Sequence, residues 1–144
     1  MKPHVLVVDD FPDGREMLSE YLSFRGFDVS EARDGQEAID RIAAAKPGII
    51  LMDLRMPGMD GWEATRRLKA DPVTCPIVVI ALTAHAMHSE LMAALAAGCD
   101  AVVPKPYDIA WLADLLSRTS REGRSALNVP GVATPLTAGD PRDQ

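Results

Sequence analysis

An α/β fold built on a parallel sheet is predicted by three observations. Five short apolar runs rich in Val and Ile recur along the chain, a helical pattern separates each from the next, and three of the runs are continuously apolar. Strands buried on both faces carry no polar alternation, and strands alternating with helices imply parallel pairing with helices on either side.

The runs are HVLVV at 4–8, FDVSEA at 27–32, GIILMDL at 48–54, PIVVIAL at 76–82 and AVV at 101–103. The first helix is expected from Pro12 to Arg25, with Met17, Leu18, Tyr21 and Leu22 as its apolar face. Proline suits its first turn, because that N–H has no partner there, and Gly26 suits its end. The second, Asp34 to Lys46, repeats Ala38, Ile39, Ile42 and Ala43 before Pro47. The third, Gly61 to Ala70, is less regular, with Trp62, Thr65 and Leu68 as its inner face. The fourth, Met87 to Ala97, places Met87, Leu91 and Leu95 at intervals of four and stops at Gly98. The fifth, Asp108 to Thr119, has the cleanest amphipathic pattern, through Ile109, Leu112, Ala113 and Leu116. Beyond it the period vanishes. Residues 121–144 hold three prolines and three glycines and are expected to form a flexible tail behind a domain at 1–120. The tail is too short for a second domain, so no output module is expected.

Composition excludes several function classes. The chain has 144 residues and a net charge of −6. No basic run offers a surface for phosphate backbones, so no nucleic-acid partner is expected. Cys75 and Cys99 stand in no CxxC or CxxH spacing, which argues against a disulfide framework or zinc site. The first apolar run is too short for a leader core, and no stretch approaches a membrane span. A cytoplasmic monomer without a membrane partner is the expectation.

The chemistry is expected at one edge of the sheet, because open parallel sheets bind ligands beyond the carboxyl ends of their strands. There the first run ends in Asp9 and Asp10, the third in Asp53 and the fourth in Thr83, and Lys105 follows the fifth. Three carboxylates at one edge repel, and a hard divalent cation with oxygen ligands relieves them, Mg²⁺ first among candidates. Carboxylates with Mg²⁺, a lysine and a hydroxyl suit phosphoryl transfer, in which charge spreads over the equatorial oxygens. Asp53 is then the nucleophile, forming an acyl phosphate, with Thr83 and Lys105 on phosphoryl oxygens.

Four stretches carry a resemblance: VLVVDDFPDGRE, IILMDLRMPGMDGWE, VVIALTAHAM and AAGCDAVVPKPYD. They resemble the receiver domain of bacterial response regulators over about residues 4 to 119, in the family's order and spacing. The resemblance implies a flavodoxin-like doubly wound (βα)5 fold with strand order 2-1-3-4-5. It implies phosphorylation of Asp53 by a histidine kinase or histidine phosphotransfer protein, and Mg²⁺ bound by Asp9, Asp10, Asp53 and the backbone carbonyl of Arg55. It also implies a cis Lys105–Pro106 bond and a signal passed to an unidentified protein target. The protein is then a signalling phosphoacceptor rather than an enzyme with turnover. One departure stands out. Many receivers carry a switch aromatic three positions before the lysine, and here that position is Val102. Tyr107 lies on the other side of Lys105 and is not its equivalent.

Other readings of these residues differ in what they require. Asp9 and Asp10 alone could cap the first helix. Arg55 and His85, each two residues after a site residue, should flank the phosphoryl group, with Arg55 shielding it from water. His85 and His88 lack a third ligand for a metal. Trp62 and Trp111 suit packing or partner contacts. A dehalogenase-like phosphatase needs a second acid where Arg55 stands. A flavodoxin needs a Ser/Thr-rich loop where DDFPDG stands. A degenerate receiver would lack part of the acid set, which here is complete.

Overall fold

The computed structural model describes residues 2–84 and 87–135. Five strands, β1 (His4–Val8), β2 (Asp28–Ala32), β3 (Ile49–Asp53), β4 (Val78–Thr83) and β5 (Ala101–Pro104), alternate with five helices. The helices are α1 (Pro12–Phe24), α2 (Gly35–Ala44), α3 (Gly61–Ala70), α4 (His88–Ala97) and α5 (Ile109–Glu122). All strands pair in parallel, in the order β2-β1-β3-β4-β5. This is the flavodoxin-like arrangement expected from the sequence.

Alternate residues of each strand feed opposite layers, as the two-residue period of a strand requires. Val5, Val7, Ile49, Leu51, Ile80, Leu82 and Val103 pack with Leu18 and Leu22 of α1 and Leu112 and Leu116 of α5. Leu6, Val8, Ile50, Met52, Val79, Ala81 and Val102 pack with Ala38 and Ile42 of α2, Ala64 and Leu68 of α3 and Ala94 of α4. Side-chain carboxylates at Asp34, Asp60 and Asp108 accept backbone N–H groups in the first turns of α2, α3 and α5. They satisfy donors that a helix start leaves orphaned. Glycine is required at Gly61, where a Cβ would stand 2.5 Å from the Asp53 carbonyl oxygen.

Two of the expected helix faces differ. Met17 and Met87 are exposed, and the buried positions of α4 are Ala94 and Ala97 rather than the Met87–Leu91–Leu95 row. Small residues let α4 approach the sheet closely, and Leu91 and Leu95 are only partly buried.

The larger correction concerns the chain after residue 121. The expectation of a flexible tail does not hold for residues 121–135. A 3-10 helix (Gly123–Leu127) follows α5 directly, and the chain then turns back across β5. Ala126, Leu127, Val132 and Thr134 are buried. Val102 donates to the Ala133 carbonyl at 2.8 Å, and Ala133 donates to the Val102 carbonyl at 3.0 Å. Arg124 donates to Asp100 at 2.7 Å and to the Pro76 carbonyl at 3.0 Å. Irregular backbone buried residue by residue leaves no periodic trace in the sequence, which is why composition misread it. Residues 136–144 lie outside the described part of the chain.

Candidate functional site at the carboxyl edge of the sheet

The predicted side chains arrive at the edge from four strand ends. Asp9 and Asp10 follow β1, Asp53 and Thr83 end β3 and β4, and Lys105 follows β5. The register sets Asp53 opposite Leu82 and Thr83 opposite Pro104, so neighbouring strands end level. Lys105 N–H donates to the Thr83 carbonyl at 2.7 Å, which ties the lysine-bearing turn to the threonine's strand end. The Lys105–Pro106 bond is cis.

Asp9, Asp10 and Asp53 each offer a carboxylate oxygen, and the three oxygens lie within 4.8 Å of one another. Two unit charges at 4.8 Å repel by about 3.5 kcal/mol at an effective dielectric of about 20. Lys105 Nζ stands 3.5 Å from Asp53 Oδ2, and the Arg55 N–H stands 3.3 Å from Asp53 Oδ1. Burial pushes the Asp53 carboxyl above its ordinary range. Lys105 opposes that shift, while Asp9 adds to it. Among the described residues one cation, Lys105, pairs with a carboxylate of this trio, and the edge is short of positive charge. A set of clustered hard carboxylate oxygens fits Mg²⁺ in its chemistry.

The capping reading of the first two acids is only partly realised. Asp9 Oδ1 accepts the Phe11 N–H at 2.9 Å, but Phe11 is the N-cap of α1 and no side chain caps that helix. Asp10 is exposed. His85 lies outside the described residues, and His88 is exposed at the start of α4. Trp62 and Trp111 are both partly buried against the core. Cys99 is buried, and its thiol is pushed up to about 11 chiefly by that burial.

Arg55 departs from its expected place over the acceptor. Its guanidinium pairs with Glu90 in the first turn of α4 and lies 5.8 Å from the ring centre of Trp62 in α3. Sequence reading also missed Arg15, which donates to the Asp9 carbonyl at 2.9 Å and pairs with Glu31 at 3.1 Å. Its position one turn after the acids was the available signal. Tyr107 is a further missed neighbour: its hydroxyl is pushed above the ordinary phenol range by burial, then by Asp9 and Asp53. A groove of about 430 Å³ lies between α2 and α3, lined by Ile39, Ile42, Leu68 and Val73 among others, and none of the three acids lines it.

Comparison with known proteins agrees with this geometry. The family described as "Response regulator receiver domain" matches residues 5–117. The response regulator MprA of Mycolicibacterium vanbaalenii is 39% identical over 153 residues, covering 97% of this chain and 65% of that protein. MprA of Mycobacterium tuberculosis strain H37Rv is 42% identical over 126 residues, covering 85% of this chain and 54% of that protein. The chain thus spans about half to two thirds of the length of these relatives. Among solved structures, the chemotaxis response regulator CheY4 of Vibrio cholerae aligns with a TM-score of 0.76 at 28% identity, over 82% of this chain and 98% of that one. The signal receiver domain of a DNA binding response regulator from Colwellia psychrerythraea 34H aligns at 0.77 and 26% identity, over 84% and 100%. With the matched family spanning most of the chain and its strand order, its acidic edge and its cis lysine–proline turn all present, this chain belongs to the response regulator receiver domain family of two-component signalling.

Proposed function

We propose that this receiver takes a phosphoryl group onto Asp53 in a Mg²⁺-dependent reaction, from the phosphohistidine of a histidine kinase or a histidine phosphotransfer protein. The observation that carries the reading is the meeting of three carboxylates from two strand ends with one lysine from a third. A carboxylate oxygen of Asp53 attacks phosphorus as the phosphorus–nitrogen bond of the donor breaks. The imidazole nitrogen leaves with the electron pair and takes up a proton, and Asp53 becomes an acyl phosphate. Asp9, Asp10, Asp53 and the Arg55 carbonyl would hold Mg²⁺, which when bound offsets charge on the transferring oxygens. Lys105, now on Asp53 Oδ2, is within reach of a phosphoryl oxygen on the same carboxylate. Thr83, buried at the end of β4, would offer its hydroxyl to another phosphoryl oxygen.

The reaction ends with one equivalent bound. Phosphorylation then changes this domain's affinity for a protein target, so the chain is a switch rather than a turnover enzyme. No helix among the described residues is long and apolar enough to cross a membrane.

Acetyl phosphate and Mg²⁺ followed by intact-mass measurement test the reading. One phosphoryl group per chain is expected for the natural protein, and none for Asp53→Asn or with the metal chelated. Sustained release of phosphate from a phosphomonoester would favour a phosphatase instead. Phosphate on Asp53→Asn would remove Asp53 from its role.

A further inference from the structure

The side chain of Arg55 sits in an incomplete polar arrangement. Its guanidinium is shared between the Glu90 carboxylate and the face of Trp62. Glu90 uses one oxygen for this pair, and its other oxygen, Oε2, is buried with no hydrogen-bond partner among the described residues. The indole nitrogen of Trp62 is likewise buried without a partner. Native structures satisfy nearly all such groups, because one left bare gives up its hydration with no hydrogen bond in return. Here an orphaned acceptor and an orphaned donor flank one arginine. One is an acceptor and the other a donor, so they are complementary in hydrogen-bonding type.

Arg55 also belongs to the acceptor site, since its N–H donates to Asp53 Oδ1. Its side chain is half exposed and borders an open cleft of about 330 Å³ walled by Met56, Pro57, Asp60 and Trp62, so it has room to turn. A phosphoryl group on Asp53 adds negative charge and several strong acceptor oxygens beside it. Guanidinium prefers such a bidentate acceptor to a single carboxylate oxygen.

We propose that Arg55, Glu90 and Trp62 form a partner-exchange latch: phosphorylation draws Arg55 onto the phosphoryl group, and Glu90 trades it for the indole N–H of Trp62. The inference rests on Asp53 being the phosphoacceptor. Glu90 stands in the first turn of α4 and Trp62 in the first turn of α3, so the exchange pulls the start of α4 toward α3. All three polar groups are satisfied afterwards. The latch couples the acceptor to α4 without an aromatic at position 102, where Val102 is fully buried and bonded to Ala133. Glu90 is thus a positioning residue that acts through Arg55.

The test is the indole proton of Trp62, followed by nitrogen–proton NMR in the full chain carrying Trp111→Phe, with and without Mg²⁺ and beryllofluoride. Intact mass after acetyl phosphate treatment first establishes uptake on Asp53, so failure of the phosphoacceptor reading is seen separately. The indole proton should move downfield on activation as it gains an acceptor. In Glu90→Ala, a helix-favouring change outside the acceptor machinery, loading should persist and the shift should vanish. The phosphoryl lifetime of Glu90→Ala should lengthen by about two- to fivefold, because Arg55 no longer leaves an ion pair of ordinary surface strength. In Arg55→Gln the indole proton should already sit downfield at rest. An indole proton that does not move in loaded natural protein overturns the latch. So does one that still moves in Glu90→Ala, or a Glu90→Ala lifetime that is unchanged.

Discussion

The two outer strands of the sheet solve one problem in opposite ways. β2 reads DVSEA, and its exposed or half-exposed positions carry Asp28, Val29, Ser30 and Glu31, two of them charged. Charges on an edge strand resist pairing with another chain and need no cover. β5 reads AVVP and has no charge, and Ala101, Val102 and Val103 are buried. The cover for that edge comes from residues 128–135, pinned by the paired backbone bonds between Val102 and Ala133 and by the seat of Leu127 and Val132 in the core. An apolar edge is buried by the chain's own continuation, and a charged edge is left open.

The contrast predicts unequal sensitivity at the two edges. Leu127→Ala should cause the largest loss, about 2–5 kcal/mol of stability by denaturant titration, because it empties a filled site in the α1/α5 layer. A change under about 0.5 kcal/mol would mean that the cover is not part of the core. Ala133→Pro should cost about 1–3 kcal/mol by leaving the Val102 carbonyl without its donor. Hydrogen exchange at the Val102 amide should rise with it, and unchanged protection there would break the comparison. At the other edge Glu31→Ala should be mildest, about 0.2–1 kcal/mol, since it removes one half-exposed ion pair with Arg15. A loss there as large as at Leu127 would show that β2 depends on its charges for more than edge protection.

The acidic edge was far more legible than the β5 edge. Asp9, Asp10, Asp53, Thr83 and Lys105 each follow or end an apolar run, so the strand pattern alone assigned them to one edge. The Arg55 side chain was misplaced because its spacing from Asp53 says where its backbone lies. Its rotamer is decided by Glu90, 35 residues later, and by Trp62 on another helix. The exposed Met17 and Met87 show the same limit: helical spacing names a candidate face, and the neighbouring layer decides how much of it is covered.

By itself, the sequence determined the five strand–helix units, their parallel sheet and the acids that meet at its carboxyl edge, because periodicity and strand termini are local properties of the chain. Only the tertiary structure decided that residues 128–135 close the β5 edge, and that Arg55 leans on Glu90 instead of covering Asp53. Those outcomes depend on which surfaces are left bare once the layers have assembled, and no local pattern records that.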